Sequence, residues 1–150
     1  MYITVAGCKK IMMSILLIED DVVDVMNVQR AFKKVNIDTP LYVASNGLEG
    51  LEMLRGTSTK SAAVSPKHLL ILLDVNMPKM SGIEFLKALR ADPTLKTIPV
   101  VMLTTSNEQI DRFNAYSLNV AGYLLKPLAF SAFVEMMTTL NKYWTLCEMV

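Results

Sequence analysis

The residues of this chain best suited to do chemistry together are acids, one lysine and hydroxyls. Glu19, Asp20 and Asp21 follow the apolar run Ile15 to Ile18, and Asp74 follows Leu69 to Leu73. Thr104 and Thr105 close a third apolar run, and Lys126-Pro127 closes a fourth. If the runs are neighbouring parallel strands, these side chains meet along one rim, where open α/β sheets bind their ligands. Two carboxylates about 5 Å apart repel by about 3 kcal/mol at an effective dielectric near 20, so Glu19, Asp20 and Asp74 are costly together when bare. A divalent cation removes that conflict. All-oxygen donors without His or Cys select a hard ion, and a few carboxylates with water suit Mg²⁺ better than a full protein cage does.

The elements that must position these residues can be read from periodicity. Short apolar runs alternate with helical spacing, which predicts a parallel sheet with helices on both faces. The runs Ile15–Ile18 and Leu69–Leu73 read as central strands, buried on both sides. Leu41–Ala44, Pro99–Leu103 and Gly122–Leu125 supply three more. Helices are predicted over Val22–Val35, from the cap Asn46 through Leu54, from Ile83 through Leu89, over Glu108–Leu118 and over Ala129–Trp144. The second helix is expected to turn Leu48, Leu51, Met53 and Leu54 inward. The last is expected to bury Phe133, Met137, Leu140 and Trp144, leaving Phe130, Met136 and Tyr143 for a partner. The fold class is α/β, a doubly wound five-stranded parallel sheet with five helices. One domain is expected over residues 14–146, behind an N-terminal tail of residues 1–13 and with no output domain.

Composition narrows the function classes. At 150 residues and 52% hydrophobic, with six Gly and six Pro, the chain suits one globular domain and neither a disordered nor a low-complexity one. A formal net charge of +1 gives no footprint for nucleic acid or for an anionic membrane surface. No apolar run reaches the roughly 18–20 residues of a membrane span. Cys8 and Cys147 form no CxxC pair, which favours a reduced, cytoplasmic setting over a disulfide framework. His68, beside Pro66-Lys67, lacks a helical setting and reads as structural.

The order of these motifs resembles the receiver domain of two-component response regulators. The acidic pair after the first strand, the segment Asp74-Val75-Asn76-Met77-Pro78 with Gly82, Thr104 and Lys126-Pro127 stand at that family's positions. The resemblance implies a flavodoxin-like sheet in the order 2-1-3-4-5. It makes Asp74 the phosphoacceptor, and assigns Asp20, Asp74 and the backbone carbonyl of Asn76 to Mg²⁺, with Glu19 a ligand through water. Thr104 and Lys126 would bind phosphoryl oxygens, Tyr123 would be the aromatic half of a switch, and Pro127 would follow a cis peptide bond. Asn76 and Ser106, two residues beyond Asp74 and Thr104, would flank the path of attacking water and tune the lifetime of the phosphate.

Such a protein modifies itself and is not a turnover enzyme. It takes its phosphoryl group from a sensor histidine kinase or a phosphotransfer protein. The chain is further similar to single-domain receivers that partner sensor kinases, phytochrome-type ones included. Its output would be a protein contact, such as a homodimer through the fourth helix, fifth strand and last helix. A flavodoxin-type FMN protein needs a hydroxyl- and glycine-rich phosphate loop where this chain has three acids. A dehalogenase-type phosphatase places its nucleophile after the first strand and carries a cap domain. The remaining alternative is a receiver-like interaction module that acts without phosphorylation.

Overall fold

The computed structural model describes residues 13–149. The chain runs β1 (Ser14–Ile18), α1 (Val22–Lys34), β2 (Leu41–Ala44), α2 (Gly47–Arg55), β3 (Leu69–Leu73), α3 (Gly82–Ala91), β4 (Val100–Thr104), α4 (Gln109–Ser117), β5 (Gly122–Leu125) and α5 (Phe130–Leu146). All five strands are parallel, in the order β2-β1-β3-β4-β5. Sequence and structure agree on the flavodoxin-like, doubly wound class.

Successive side chains of a strand point to opposite faces, so β1, β3 and β4 feed two cores. Leu16, Ile18, Ile71, Leu73 and Met102 pack beneath α2, α3 and α4 with Phe85, Leu86 and Leu89. Ile15, Leu17, Leu70, Leu72 and Leu103 pack beneath α1 and α5 with Phe32, Phe133, Met137 and Trp144. Every residue of β3 is buried. Its all-aliphatic sequence is therefore what a central parallel strand requires.

Three helices begin on side-chain caps. Asp21 caps α1, Asn46 caps α2, and Ser81 forms a capping box with Glu84 on α3. The starts of α4 and α5 have none. Gly56, at φ 71°, ends α2 in the left-handed region. The long segment after it is tied down where Val64 is buried and its N–H donates to the Met53 carbonyl.

Several expectations change. Leu48 faces solvent, because Gly47 and Gly50 turn toward the core instead: a methyl group on Gly50 would lie 2.7 Å from Ile18 Cδ1. Met136 packs partly buried against the α1–α5 core, leaving Phe130 and Tyr143 exposed. Met13, assigned to the tail, is buried beneath α1 and α5. The rest of that tail, Cys8 included, lies outside the described residues. His68 shapes the chain ahead of β3, with φ 53° and its carbonyl accepting from Ser14 N–H. Among the described residues no helix is long and apolar enough to cross a membrane.

Candidate functional site

Strand register carries the chemistry to one rim. Ile18 pairs with both Ala44 and Leu73, and Leu73 pairs with Met102. The residues just past these pairs are Glu19 and Asp74. The ladder continues through them: Glu19 N–H donates to the Ala44 carbonyl, and Asp74 N–H to the Ile18 carbonyl. On the other side Thr104 pairs with Leu125, and Lys126 N–H donates back to the Thr104 carbonyl. Backbone bonds thus fix all four positions before any side-chain contact is counted.

Glu19, Asp20 and Asp74 each offer a carboxylate oxygen, and these lie within 4.8 Å of one another. Glu19 and Asp74 are buried and Asp20 is exposed, so the cluster opens to solvent on one side. Asp21 does not join it. It caps α1 and accepts from Val23 and Asp24 N–H, while its own N–H donates to Glu19 Oε2 at 3.2 Å. The Lys126 ammonium donates to Glu19 Oε1 at 2.5 Å and to Asp24 Oδ2 at 2.7 Å, and stands 3.9 Å from Asp74 Oδ1.

Burial pushes the Glu19 carboxyl up to about 7, and the Asp74 charge adds to that rise, against the lowering pull of Lys126. Lys126 is raised as well. Its burial disfavours the ammonium, but the hydrogen bonds to Asp24 and Glu19 and the charges of Glu19 and Asp74 outweigh that. A Glu that resists ionisation beside two further acids is what a cation would relieve. The donor set is all oxygen, so the residues fit a hard divalent ion.

Thr104 is fully buried and Ser106 nearly so. Thr104 Oγ1 accepts from Ser106 N–H at 3.1 Å, and Ser106 Oγ donates to Asp111 Oδ2 at 2.6 Å. The Ser106 carbonyl accepts from the Tyr123 hydroxyl at 3.0 Å. Tyr123 packs against the α2–α4 core, whereas Lys126 reaches α1, so the two point to opposite sides of the sheet as their spacing predicts. Asn76 lies on the exposed turn after Asp74. That turn closes on itself through Gly82 N–H, which donates to the Val75 carbonyl.

Pro127 departs from the implied geometry. The peptide bonds among the described residues are all trans, Lys126–Pro127 included. Trans is intrinsically favoured by about 0.5–1 kcal/mol before proline. In that form the lysine already reaches Glu19 and Asp24, so no contact of the site requires the cis isomer.

Two acids of the site carry no signal in the strand-end pattern. Asp24 in the first turn of α1 holds Lys126, and Asp111 in the first turn of α4 holds Ser106. The place to look for them was the first turn of each helix following an active strand end.

The family described as response regulator receiver domain matches residues 15–138, and the chain belongs to it. Its relatives include the response regulator Rcp1 of Synechocystis sp., 37% identical over 130 residues that form 87% of each chain. The phosphorylated cyanobacterial phytochrome response regulator RcpA has a similar structure, with TM-score 0.79 and 31% identity, covering 93% of this chain and 99% of that one. The Mn²⁺-bound form of Rcp1 matches with TM-score 0.77 and 34% identity, covering 89% and 94%.

Proposed function

We propose that this protein is the phosphoacceptor of a two-component phosphorelay, acting in the cytoplasm. It takes a phosphoryl group onto Asp74 from a phosphohistidine on a sensor histidine kinase or a phosphotransfer protein. The observation that carries this reading is the convergence of three carboxylates within 4.8 Å, with the Lys126 ammonium 3.9 Å from Asp74.

A carboxylate oxygen of Asp74 attacks phosphorus while the P–N bond of the donor breaks and its electron pair leaves on the imidazole nitrogen, which then takes a proton. Lys126 supplies a point charge for one phosphoryl oxygen, and the Thr104 hydroxyl donates to another. Asp20, Asp74 and the Asn76 carbonyl, with Glu19 through water, would hold Mg²⁺, which would neutralise charge on the transferring oxygens. Asn76 and Ser106 flank the approach of the water that later attacks phosphorus and returns Asp74 to a free carboxylate. Their size then sets how long the phosphate lasts.

The output is a protein contact on the face formed by α4, β5 and α5. Ile110, Phe113 and Tyr116 form an exposed stripe along α4, and Leu125 on β5 is exposed as well. Such a stripe marks an interaction surface. Tyr123, bonded to the loop that starts α4, links this face to Thr104.

Incubation with labelled acetyl phosphate and Mg²⁺ tests the reading. Label should appear on the intact chain, vanish with EDTA and vanish in Asp74→Asn. Beryllofluoride should raise the sedimentation mass if the contact is a homodimer. Equal labelling of Asp74→Asn overturns the phosphoacceptor assignment and leaves a module that acts without phosphorylation.

A further inference from the structure

Lys126 has three carboxylates around its ammonium, and the phosphoacceptor is the most distant of them. Glu19 lies at 2.5 Å, Asp24 at 2.7 Å and Asp74 at 3.9 Å. The lysine side chain is 9% exposed and that of Asp24 29%, so their bond lies at the mouth of the pocket, partly screened from water. Asp24 is held in place by the start of α1, its N–H directed at the Asp21 carboxylate that caps the helix.

From this geometry we infer that Asp24 is a positioning residue that competes with the phosphoryl group for Lys126, and so sets how tightly the Asp74 pocket holds that group. The inference rests on the phosphoacceptor reading above. Glu19 belongs to the acidic cluster, and a cation bound there draws its charge away from Lys126. Asp24 stands outside the cluster and remains as the anion that keeps the ammonium. A phosphoryl oxygen arriving at Asp74 must then draw Lys126 across, breaking one charge-assisted bond to make another. Such an exchange is closely balanced, so the strength of the bond to Asp24 passes directly into phosphoryl affinity.

The test uses the full chain with saturating Mg²⁺, and beryllofluoride binding followed by fluorine NMR. Asp24→Asn should bind about tenfold more tightly, which corresponds to about 1.4 kcal/mol. Asp24→Glu, which keeps the carboxylate, should stay within about threefold of the unsubstituted chain. Asp21→Asn controls for the loss of a negative charge near the pocket, because Asn still caps a helix and Asp21 does not touch Lys126. It should change affinity less than about twofold. Unchanged or weaker binding by Asp24→Asn overturns the inference, as does an equal gain in Asp21→Asn. If the unsubstituted chain itself binds no beryllofluoride, the phosphoacceptor reading falls and this inference with it.

Discussion

Gly82 stands where the start of α3 meets the backbone of Asp74, the proposed phosphoacceptor, and replacing it with Ala ties stability to chemistry in one change. A Cβ there would lie 2.0 Å from the Asp74 carbonyl oxygen and 3.0 Å from both the Asp74 carbonyl carbon and Val75 Cα. Contacts under 3.0 Å are essentially never tolerated, so about 1 Å of separation has to open between two backbone segments. Neither side yields cheaply. Moving α3 outward loosens the capping box of Ser81 with Glu84 and the packing of Phe85, Leu86 and Leu89, all fully buried. Moving the Asp74 peptide strains its N–H bond to the Ile18 carbonyl and the Gly82 bond to Val75. Overpacking typically costs 1–3 kcal/mol, and with backbone on both sides we expect about 3 kcal/mol. In urea that lowers the midpoint by about 1–2 M. A displacement of about 1 Å at a reacting group slows chemistry roughly a hundredfold, so labelling by acetyl phosphate should fall by that order even at temperatures where the variant is folded. Gly122→Ala is the control, since a Cβ there meets nothing within 4 Å, and it should be neutral or stabilising by up to about 0.5 kcal/mol. A Gly82→Ala protein with an unshifted urea midpoint and a labelling rate within twofold would refute the close-contact reasoning.

Glu19 predicts the pH dependence of the metal-free protein. Its folded pKa of about 7 lies above the ordinary 4.5, so between those values the folded state keeps a proton the unfolded chain has released, and stability falls as pH rises through that window. The slope approaches about 1.4 kcal/mol per pH unit at most. Urea midpoints at pH 5, 6, 7 and 8 should decline without divalent cation and flatten with Mg²⁺; a midpoint that climbs over this range in EDTA contradicts the burial of Glu19. Arg90 donates to four carbonyls, those of Leu118, Lys96, Ile98 and Asn119, at 2.8 to 3.0 Å. Arg90→Met keeps the apolar stem but strands these acceptors, and should cost about 2–4 kcal/mol with faster amide exchange around Asn119; Arg90→Lys should not restore it, since one ammonium cannot span the fork.

The strand ends were legible because an aliphatic run such as Leu69–Leu73 has few places to go. Buried on both faces, it must be a central parallel strand, and the residue after it must reach the ligand rim, which places Asp74 beside Glu19 without knowledge of any contact. Helix rotation was less legible. Leu48 fits an apolar stripe with Leu51 and Leu54, but the space under α2 admits only glycine at positions 47 and 50, so close packing overrides periodicity and turns Leu48 out. Along α4 the same periodicity points at Ile110, Phe113 and Tyr116, yet Ala115 is the residue that is buried. What lay beyond the sequence was pairing across the fold. Asp24 and Lys126 are 102 residues apart, and their meeting depends on how α1 lies across the end of β5. The trans bond before Pro127 was likewise not what the motif implied.

If Asp74 is phosphorylated as proposed, the way α4 is held offers a route for the new charge to a distant face. With one buried residue among nine and no side-chain cap, α4 is anchored mainly by polar bonds at its two ends. At the far end Arg90 grips Leu118 and Asn119. At the near end Ser106 binds Thr104 by its N–H, Asp111 by its hydroxyl and Tyr123 by its carbonyl. A switch from 1:99 to 99:1 needs about 5.5 kcal/mol of differential stabilisation. Two neutral hydrogen bonds contribute about 1 kcal/mol each and one to a carboxylate about 1.5–3, so loss of the whole Ser106 node in one state would supply roughly 3.5–5 kcal/mol of that difference. Thr104 is the member that touches the pocket. Drawing its hydroxyl toward a phosphoryl oxygen disturbs the oxygen that accepts from Ser106, and through that one residue it reaches both Tyr123 and the first turn of α4. With the Arg90 end held by those bonds, the proposed switch would pivot α4 about its C-terminus and carry Ile110 and Phe113 farther than Tyr116.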